Sequence, residues 1–598
     1  MTTPDSGPPS EPGTRARPRW RLPCQAWLRD YDRTALLADG TAALIVTVML
    51  VPQSLAYALL AGLPAEVGLY ASVAPLLLYA LLGSSRVLAV GPVAVVSLMT
   101  AAAIGELPPS LGSGPALAVQ AAVVLAALSG GLLLLMGALR WGFIANFLSH
   151  PVISGFISAS GLLIALSQAK TLLGVQASGQ TAWALVPALW QQLPHTHGPT
   201  LALGAGTLLA LVLARRYAKP GLRALGLGPL SADLLSKAAP VLAIAATTGL
   251  AWALDLAAGG MKLVGTVPAG LPPLTLPVWE PALWQALLLP ALLISVVGFV
   301  ESVSVGQTLA ARRRQRIEPD QELLALGAAN VGAAFTAGMP VTGGFARSIV
   351  AFDAGARTPA TGVFTAVGIV LVTALATPAL AYLPQATLAA TIVVAVLSLV
   401  DLDLLRRTWA YSRADFTAAA TTLAATLLLG VESGLVAGVG VSLALHLLRT
   451  SRPHIAEVGL VPGTEHFRNV QRHQVGTSPR LLSLRVDESL YFANARPLED
   501  RINSAVASHP ELAHVVLLCS AVNDIDASAL ESLEAIEHRL GEAGITLHFS
   551  EVKGPVMDKL QRSHFLRDLR GRVFLSHYQA VLALTPEVVH ASKSGAAA

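Results

Sequence analysis

Apolar stretches separated by short polar interruptions run from about residue 39 to residue 448. Fourteen can be counted, near 39–62, 66–83, 91–105, 115–138, 142–170, 199–214, 238–257, 281–310, 321–337, 344–353, 359–381, 385–400, 412–430 and 432–448. A helix that crosses a bilayer alone takes about 20 residues. Several stretches are shorter, so they predict helices that are broken or that stop part-way. Beyond Arg452 the pattern changes. Polar residues with Pro453, Pro462-Gly463 and Gly476 read as a linker. Strands are then expected at 481–486, 515–519 and 546–549, and helices at 497–508, 528–543, 555–563 and 578–584. Alternating strand and helix predicts a small α/β domain. The expected order is a flexible arm over 1–34, a membrane domain over 35–450, a linker over 451–479, an α/β domain over 480–590 and a flexible tail over 591–598.

Composition agrees with a polytopic helical membrane protein: 54% of the 598 residues are hydrophobic and only 13% are charged. The net charge of +4 is unevenly placed, +7 over residues 1–479 and −3 over 480–598, which marks the C-terminal part as a different domain. Cys24 and Cys519 lie far apart without metal or redox spacing, so no disulfide framework or metal site is expected. The arm has no apolar run before Arg33, and Arg15, Arg17, Arg19, Arg21, Arg29 and Arg33 favour retention on the side of synthesis. Basic residues then alternate. Loops after even-numbered stretches hold Arg86, Arg140, the group from Arg215 to Lys237, the cluster from Arg312 to Arg316, Arg357, Arg406 to Arg413, and Arg449 with Arg452. Loops after odd-numbered ones hold little beyond Lys262 and, at a boundary, Lys170. This predicts an even number of spans, fourteen rather than twelve, with both termini cytoplasmic.

Two short stretches occupy corresponding places. The third opens with Gly91-Pro92-Val93, the tenth with Gly343-Gly344-Phe345-Ala346-Arg347, and each is third in a set of seven. That is the relation expected of inverted repeats, in which half-helices enter from opposite sides and meet N-terminus to N-terminus. Pro92 suits a first helical turn, which makes Gly91-Pro92 a candidate helix start. Two positive dipole ends would converge on one point, where an anion fits. Arg347 adds a cation at a depth where charge is costly and usually functional.

Four motifs in order carry a resemblance: Val51-Pro52-Gln53-Ser54-Leu55-Ala56-Tyr57-Ala58, Ala89-Val90-Gly91-Pro92-Val93-Ala94-Val95-Val96-Ser97-Leu98, Ser149-His150-Pro151-Val152-Ile153-Ser154-Gly155-Phe156, and residues 340–358. With them the chain resembles the sulfate permease (SulP), solute carrier 26-like family of anion transporters from about Ala35 onward, including a tail similar to a STAS domain. The resemblance implies fourteen segments in two inverted repeats of seven, split into core and gate domains. It also implies an elevator-like mechanism and a homodimer. Carried over by position, the anion would lie near Val93, Phe345, Ala346 and Arg347, with Gln53 and Tyr57 closing the site. Gln53 offers amide donors and Tyr57 a hydroxyl. Members of the family often carry a hydroxyl residue where this chain has Ala346, and that departure leaves sulfate, bicarbonate and C4-dicarboxylates open as substrates.

Glu301, inside the eighth stretch, is the expected ion-coupling residue, for a proton or for sodium; its alternative is a fixed ion pair with Arg347. Asp353 and Arg357 read as a cap or salt bridge at the cytoplasmic side, His150 as a helix-entry residue, and Asp39, Asp255 and Glu432 as interfacial residues. In the tail, Val522-Asn523-Asp524-Ile525-Asp526-Ala527-Ser528 resembles the STAS signature loop. Ser528 falls where related anti-sigma-factor antagonists are phosphorylated, and it is also a competent helix N-cap, the simpler role. The expectation is secondary active transport of an inorganic anion, sulfate first, by proton symport in a bacterial plasma membrane. Rival readings are a bicarbonate or dicarboxylate carrier, an uncoupled exchanger or channel, and a membrane-anchored sensor. No enzymatic activity, cofactor, metal or nucleic-acid partner is expected, and the cytoplasmic partner of the STAS domain is unknown.

Overall fold

The computed structural model describes residues 23–595 apart from 30, 113, 147–148, 227, 229–231, 233–235 and 237–238. Arg15, Arg17, Arg19, Arg21, Lys237 and the end of the expected tail lie outside the described residues. The chain divides into two compact units, Met1–Ser442 and Leu443–Ala598.

In the first unit every apolar stretch is helical over most of its length. The helices are α1 (Arg33–Leu60), α2 (Ala74–Leu82), α3 (Ala94–Gly105), α4 (Pro115–Ala138), α5 (His150–Leu173), α6 (Gly198–Leu213), α7 (Ala239–Ala253), α8 (Pro281–Arg312), α9 (Pro319–Phe335), α10 (Phe345–Asp353), α11 (Ala360–Leu375), α12 (Gln385–Leu397), α13 (Arg413–Leu429) and α14 (Val431–Thr450). Among the described residues six helices, Arg33–Leu60, Pro115–Ala138, His150–Leu173, Gly198–Ala224, Pro281–Arg312 and Val431–Thr450, are long and apolar enough to cross a bilayer alone. Nine residues give α10 a length of about 13 Å, less than half of a hydrocarbon core.

Glycine permits the closest packing. A Cβ on Gly130 of α4 would lie 2.7 Å from the backbone nitrogen of Val331, and one on Gly327 of α9 would lie 2.8 Å from that of Leu134. Backbones meet there without intervening side chains, as is usual where lipid supplies no hydrophobic drive and dispersion contacts must. Helices α4 and α9 thus form a dense support behind the break that precedes α10.

The two predicted helix breaks are a pair of short strands. β1 (Val90–Gly91) and β2 (Thr342–Gly343) run antiparallel, Val90 opposite Gly343 and Gly91 opposite Thr342. This moves one expected boundary. α3 begins at Ala94, not at Gly91-Pro92, because Gly91 is held in the ladder at φ 155°, a conformation that suits glycine and not a helix. The fifth stretch is also shorter than expected at its start, with a tight turn over Trp141–Asn146 ahead of α5.

The second unit is a six-stranded mixed sheet in the order β4-β3-β5-β6-β7-β8. Its strands are β3 (Ile455–Leu460), β4 (Phe467–Asn469), β5 (Leu481–Val486), β6 (His514–Leu518), β7 (Thr546–Ser550) and β8 (Val573–Phe574). β5 to β8 run parallel and β3 joins β5 antiparallel. Helices α15 (Ala495–Ser508) and α16 (Ala527–Glu542) help bury one face of the sheet over Leu484, Leu517, Leu547 and Phe549. α17 (His577–Leu584) packs on the other through Val516 and Val581. The stretch read as a linker over 451–479 therefore contains a hairpin of the sheet. Pro462-Gly463 is its turn, and Ala456, Val458 and Leu460 alternate into the core.

Candidate anion-binding site

Antiparallel strands that each lead into a helix send those helices in opposite directions, and where the ladder is only two residues long the two helix N-termini stay close. β1 and β2 do this for α3 and α10. Val93 and Gly344 stand at the two N-cap positions in extended conformations, and neither helix has a side-chain cap. The free N–H groups of both first turns therefore converge without competition from a protein carboxylate or hydroxyl.

A chain of hydroxyls fixes the pair. Gly343 N–H donates to Ser302 Oγ at 2.9 Å, Ser302 pairs with Thr342 Oγ1 at 2.7 Å, and Thr342 donates to the Gly298 carbonyl at 2.6 Å. On the other side Gly344 N–H donates to the Ala89 carbonyl, Ala89 N–H to Ser348 Oγ, and Ser348 to the Gly344 carbonyl. Asn330 of α9 accepts from Val341 N–H and donates to its carbonyl, which holds the lead-in to β2. Buried polar groups satisfied in this way give the break one geometry. Since Ser302 is a link in the chain, Glu301 beside it is carried to the same place.

Arg347 lies in the first turn of α10 and is 2% exposed. Its Nη1 and Nη2 are buried and, among the described residues, have no hydrogen-bond partner. The guanidinium folds back over the glycines: a Cβ on Gly344 would lie 2.8 Å from Arg347 Nε, and one on Gly91 would lie 3.2 Å from Nη1. A buried cation without a counter-ion is costly, and the arrangement gains most from an anion that takes both free nitrogens. Glu301 and Tyr57 are within electrostatic reach of Arg347. Among the described residues, however, no ion pair joins Glu301 to Arg347, so the fixed pair considered as an alternative does not form in this structure.

The remaining expected residues fall as follows. Tyr57 is buried on α1, and Gln53, half-buried, precedes it by one turn. Pro52 beside them sits inside the helix and lacks the N–H that would bond one turn back. Val93 is buried, while Phe345 and Ala346 present exposed side chains at the start of α10. His150 opens α5 and faces Ser154 Oγ at 3.4 Å, in keeping with helix entry. Ser528 belongs to the second unit and is exposed. It does not cap α16. The cap is Asp526, whose carboxylate accepts from Ala529 N–H at 2.8 Å, since Ser528 already lies inside the helix.

Two carboxylates escaped sequence reasoning. Asp39, expected at an interface, is fully buried and accepts from Arg357 N–H, Thr358 N–H, Thr358 Oγ1 and Thr361 Oγ1. It ties α1 to the turn after α10. Glu322, also fully buried, accepts from Tyr79 Oη, Ser84 N–H and Oγ, and Ser85 N–H, and ties α9 to the turn before β1. Glu432 is a further correction: it is half-buried against a cavity.

A helical membrane unit with opposed half-helices at an arginine, joined to an α/β unit, defines a class of transporter that the comparisons make specific. Residues 36–422 match the sulfate permease family and residues 472–580 match the STAS domain. A probable sulfate transporter of Mycobacterium tuberculosis is 34% identical over 558 residues, covering 93% of this chain and 96% of that protein. The chloroplastic sulfate transporter 4.1 of Arabidopsis thaliana is 34% identical over 555 residues, 91% of this chain and 79% of its own length. Among solved structures, murine solute carrier 26 family member A9, an anion transporter in the inward-facing state, superposes with a TM-score of 0.85 at 22% identity over 96% of this chain and 97% of that one. The transmembrane domain of a cyanobacterium bicarbonate transporter superposes with a TM-score of 0.58 at 22% identity, over 69% of this chain and 99% of that one. This chain belongs to the sulfate permease family. It is an integral membrane transporter, not an enzyme, and it carries a C-terminal STAS domain.

Proposed function

We propose that the protein carries sulfate by proton-coupled symport and that the anion binds between the first turns of α3 and α10, against Arg347. The observation that carries this reading is the buried guanidinium with two unpartnered nitrogens at the meeting of two uncapped helix N-termini. A tetrahedral dianion can accept from both nitrogens and from several backbone N–H groups together. The two relatives at 34% identity, a sulfate transporter and a probable sulfate transporter, favour sulfate over bicarbonate or a dicarboxylate. Gln53, Tyr57, Val93, Phe345 and Ala346 would line the site, and Glu301, within electrostatic reach of Arg347, would take the coupling proton. Movement would be elevator-like, through fourteen segments in two inverted repeats. We further place the protein as a homodimer in a bacterial plasma membrane, both termini cytoplasmic, with the boundary to the tail near residue 450 and Ser528 open to phosphorylation.

The test is radiolabelled sulfate uptake by the purified protein in liposomes, with and without an inward proton gradient, in competition with fumarate, bicarbonate and chloride. Uptake by the wild type should rise with the gradient and be blocked best by unlabelled sulfate. In Glu301→Gln the gradient should lose its effect while sulfate still binds. Gradient-independent uptake by the wild type would overturn symport, and stronger competition by fumarate or bicarbonate would overturn sulfate.

A further inference from the structure

A cavity of about 940 Å³ opens in the membrane unit beyond the candidate site, and Lys170 and Lys262 line it. These are the two basic residues that the alternation of charge along the chain left over. Lys170 lies in the last turn of α5, whose C-terminal dipole favours one ammonium there. That dipole does not account for two. Lys262, from the connection between α7 and α8, is within electrostatic reach of Lys170, so the pair repel. Among the described residues neither ammonium closes a hydrogen bond or an ion pair.

The backbone at both positions is pinned, with Lys170 half-buried and Lys262 exposed. The Lys262 carbonyl accepts from Gln385 N–H at 3.0 Å, and Leu263 bridges to Pro384 at the start of α12. The Lys170 carbonyl accepts from Val175 N–H at 2.9 Å, beyond Gly174, which takes the left-handed turn at the end of α5. Glu106 and Glu432 line the same cavity and are in electrostatic reach of each other. Among the described residues neither is paired with a lysine, so the cavity carries a basic pair and an acidic pair.

The walls lead to the candidate site. Ala56 and Leu60 of α1 line the cavity, and Gln53 and Tyr57 lie one turn back from them on the same helix faces. Leu98 of α3 lines it too, one turn from Ala94 at the helix start.

We propose that Lys170 and Lys262 form a second anion site, for a divalent oxyanion such as sulfate, at which substrate docks before moving along α1 and α3 to Arg347. This rests on the reading of Arg347 as the central site. Two adjacent cations relieve their repulsion most with a dianion, so the site selects charge and raises local substrate concentration.

The test uses the full-length protein in lipid nanodiscs and measures modification of Lys170 and Lys262 by an amine-reactive reagent, with peptide mass spectrometry as the readout. Sulfate is compared with chloride at matched ionic strength, in the wild type and in Arg347→Ala. Sulfate should slow modification of both lysines several-fold in both proteins. Protection in neither would overturn the proposal. Protection in the wild type alone would overturn it as well, because the lysines would then be reporting occupancy at Arg347. Protection in both, with no loss of sulfate transport in Arg347→Ala, would sink the central reading and leave the second site standing. In uptake assays Lys170→Gln with Lys262→Gln should raise KM for sulfate several-fold and leave kcat nearly unchanged. An unchanged KM would contradict the proposal.

Discussion

Arg347 is held where it is by what its neighbours lack. Gly344 has no Cβ to meet Nε at 2.8 Å and Gly91 has none to meet Nη1 at 3.2 Å, so the guanidinium can lie flat across the strand pair with its outer nitrogens free. Gly344→Ala adds one methyl at a φ of −88°, which alanine tolerates, so the backbone should survive. The methyl would push the guanidinium away from the helix starts. Sulfate affinity should fall by about tenfold, equivalent to about 1.4 kcal/mol, with the melting temperature within a few degrees of wild type. Equilibrium binding of labelled sulfate and a thermal melt check the two halves. Wild-type affinity in this variant would mean that the position of the guanidinium does not matter. The glycines and the arginine were legible in the sequence. Their mutual contact was not, because it joins residues near 91 to residues near 344.

Among the elements, the apolar pattern located α1 to α14, since lipid-facing and buried surfaces are both apolar and the stretches end where charge begins, but it did not show the shorter helices Ala182–Gln192 and Asp403–Tyr411 between them. The opposed half-helices were legible too, from paired glycines at corresponding places. What the pattern could not show was how the breaks are fastened. Asp39 and its donors at Arg357 and Thr358 are 318 and 319 residues apart, and in sequence an aspartate near a helix start looks like an interfacial residue. In the structure it accepts four hydrogen bonds and fixes α1, which carries Gln53 and Tyr57, to the turn after α10. Asp39→Asn replaces one of the two accepting oxygens with an amide nitrogen, whose N–H donors then face N–H or O–H groups. Leaving buried donors unmet costs about 1–3 kcal/mol for each. The melting temperature should drop by several degrees and amide exchange over 354–361 should quicken. Unchanged exchange there would show that the carboxylate does not fasten the turn. The hairpin of β3 and β4 was missed for a different reason: its turn residues and its short strands have the composition of a linker, and only pairing with β5 reveals them.

At the scale of the whole molecule, membership of the sulfate permease family joins a transport unit to a tail with its own chemistry. The tail buries histidines in the neutral form. His577 is fully buried, bonds Ser550 through Nδ1 and, among the described residues, has no partner at Nε2, and burial pushes it down to about 4. His548 is likewise pushed down to about 4, by burial first and then by His514 and Arg572. Its Nδ1 accepts from Arg572 N–H, so its proton is on Nε2, toward His514 at 3.3 Å. Unfolded histidine takes up a proton near pH 6.5, above these folded values. The stabilisation is therefore complete above about pH 6.5 and is lost as the pH falls toward 4, with His577 alone contributing up to about 3 kcal/mol. Amide protection over 546–550 in the full-length protein, corrected for intrinsic exchange, should fall between pH 7 and pH 5, and His577→Gln should flatten that fall. Protection that is independent of pH in the wild type would contradict this account.

The central claim is that a dianion occupies the space between two helix starts because Arg347 has two nitrogens to give it. Binding of labelled sulfate to the purified wild type, Arg347→Lys and Arg347→Ala tests this most directly. The wild type should bind saturably, the lysine variant more weakly, because it keeps the charge but loses the paired donors, and the alanine variant should lose that site. Unaltered sulfate affinity and stoichiometry in Arg347→Ala would contradict it.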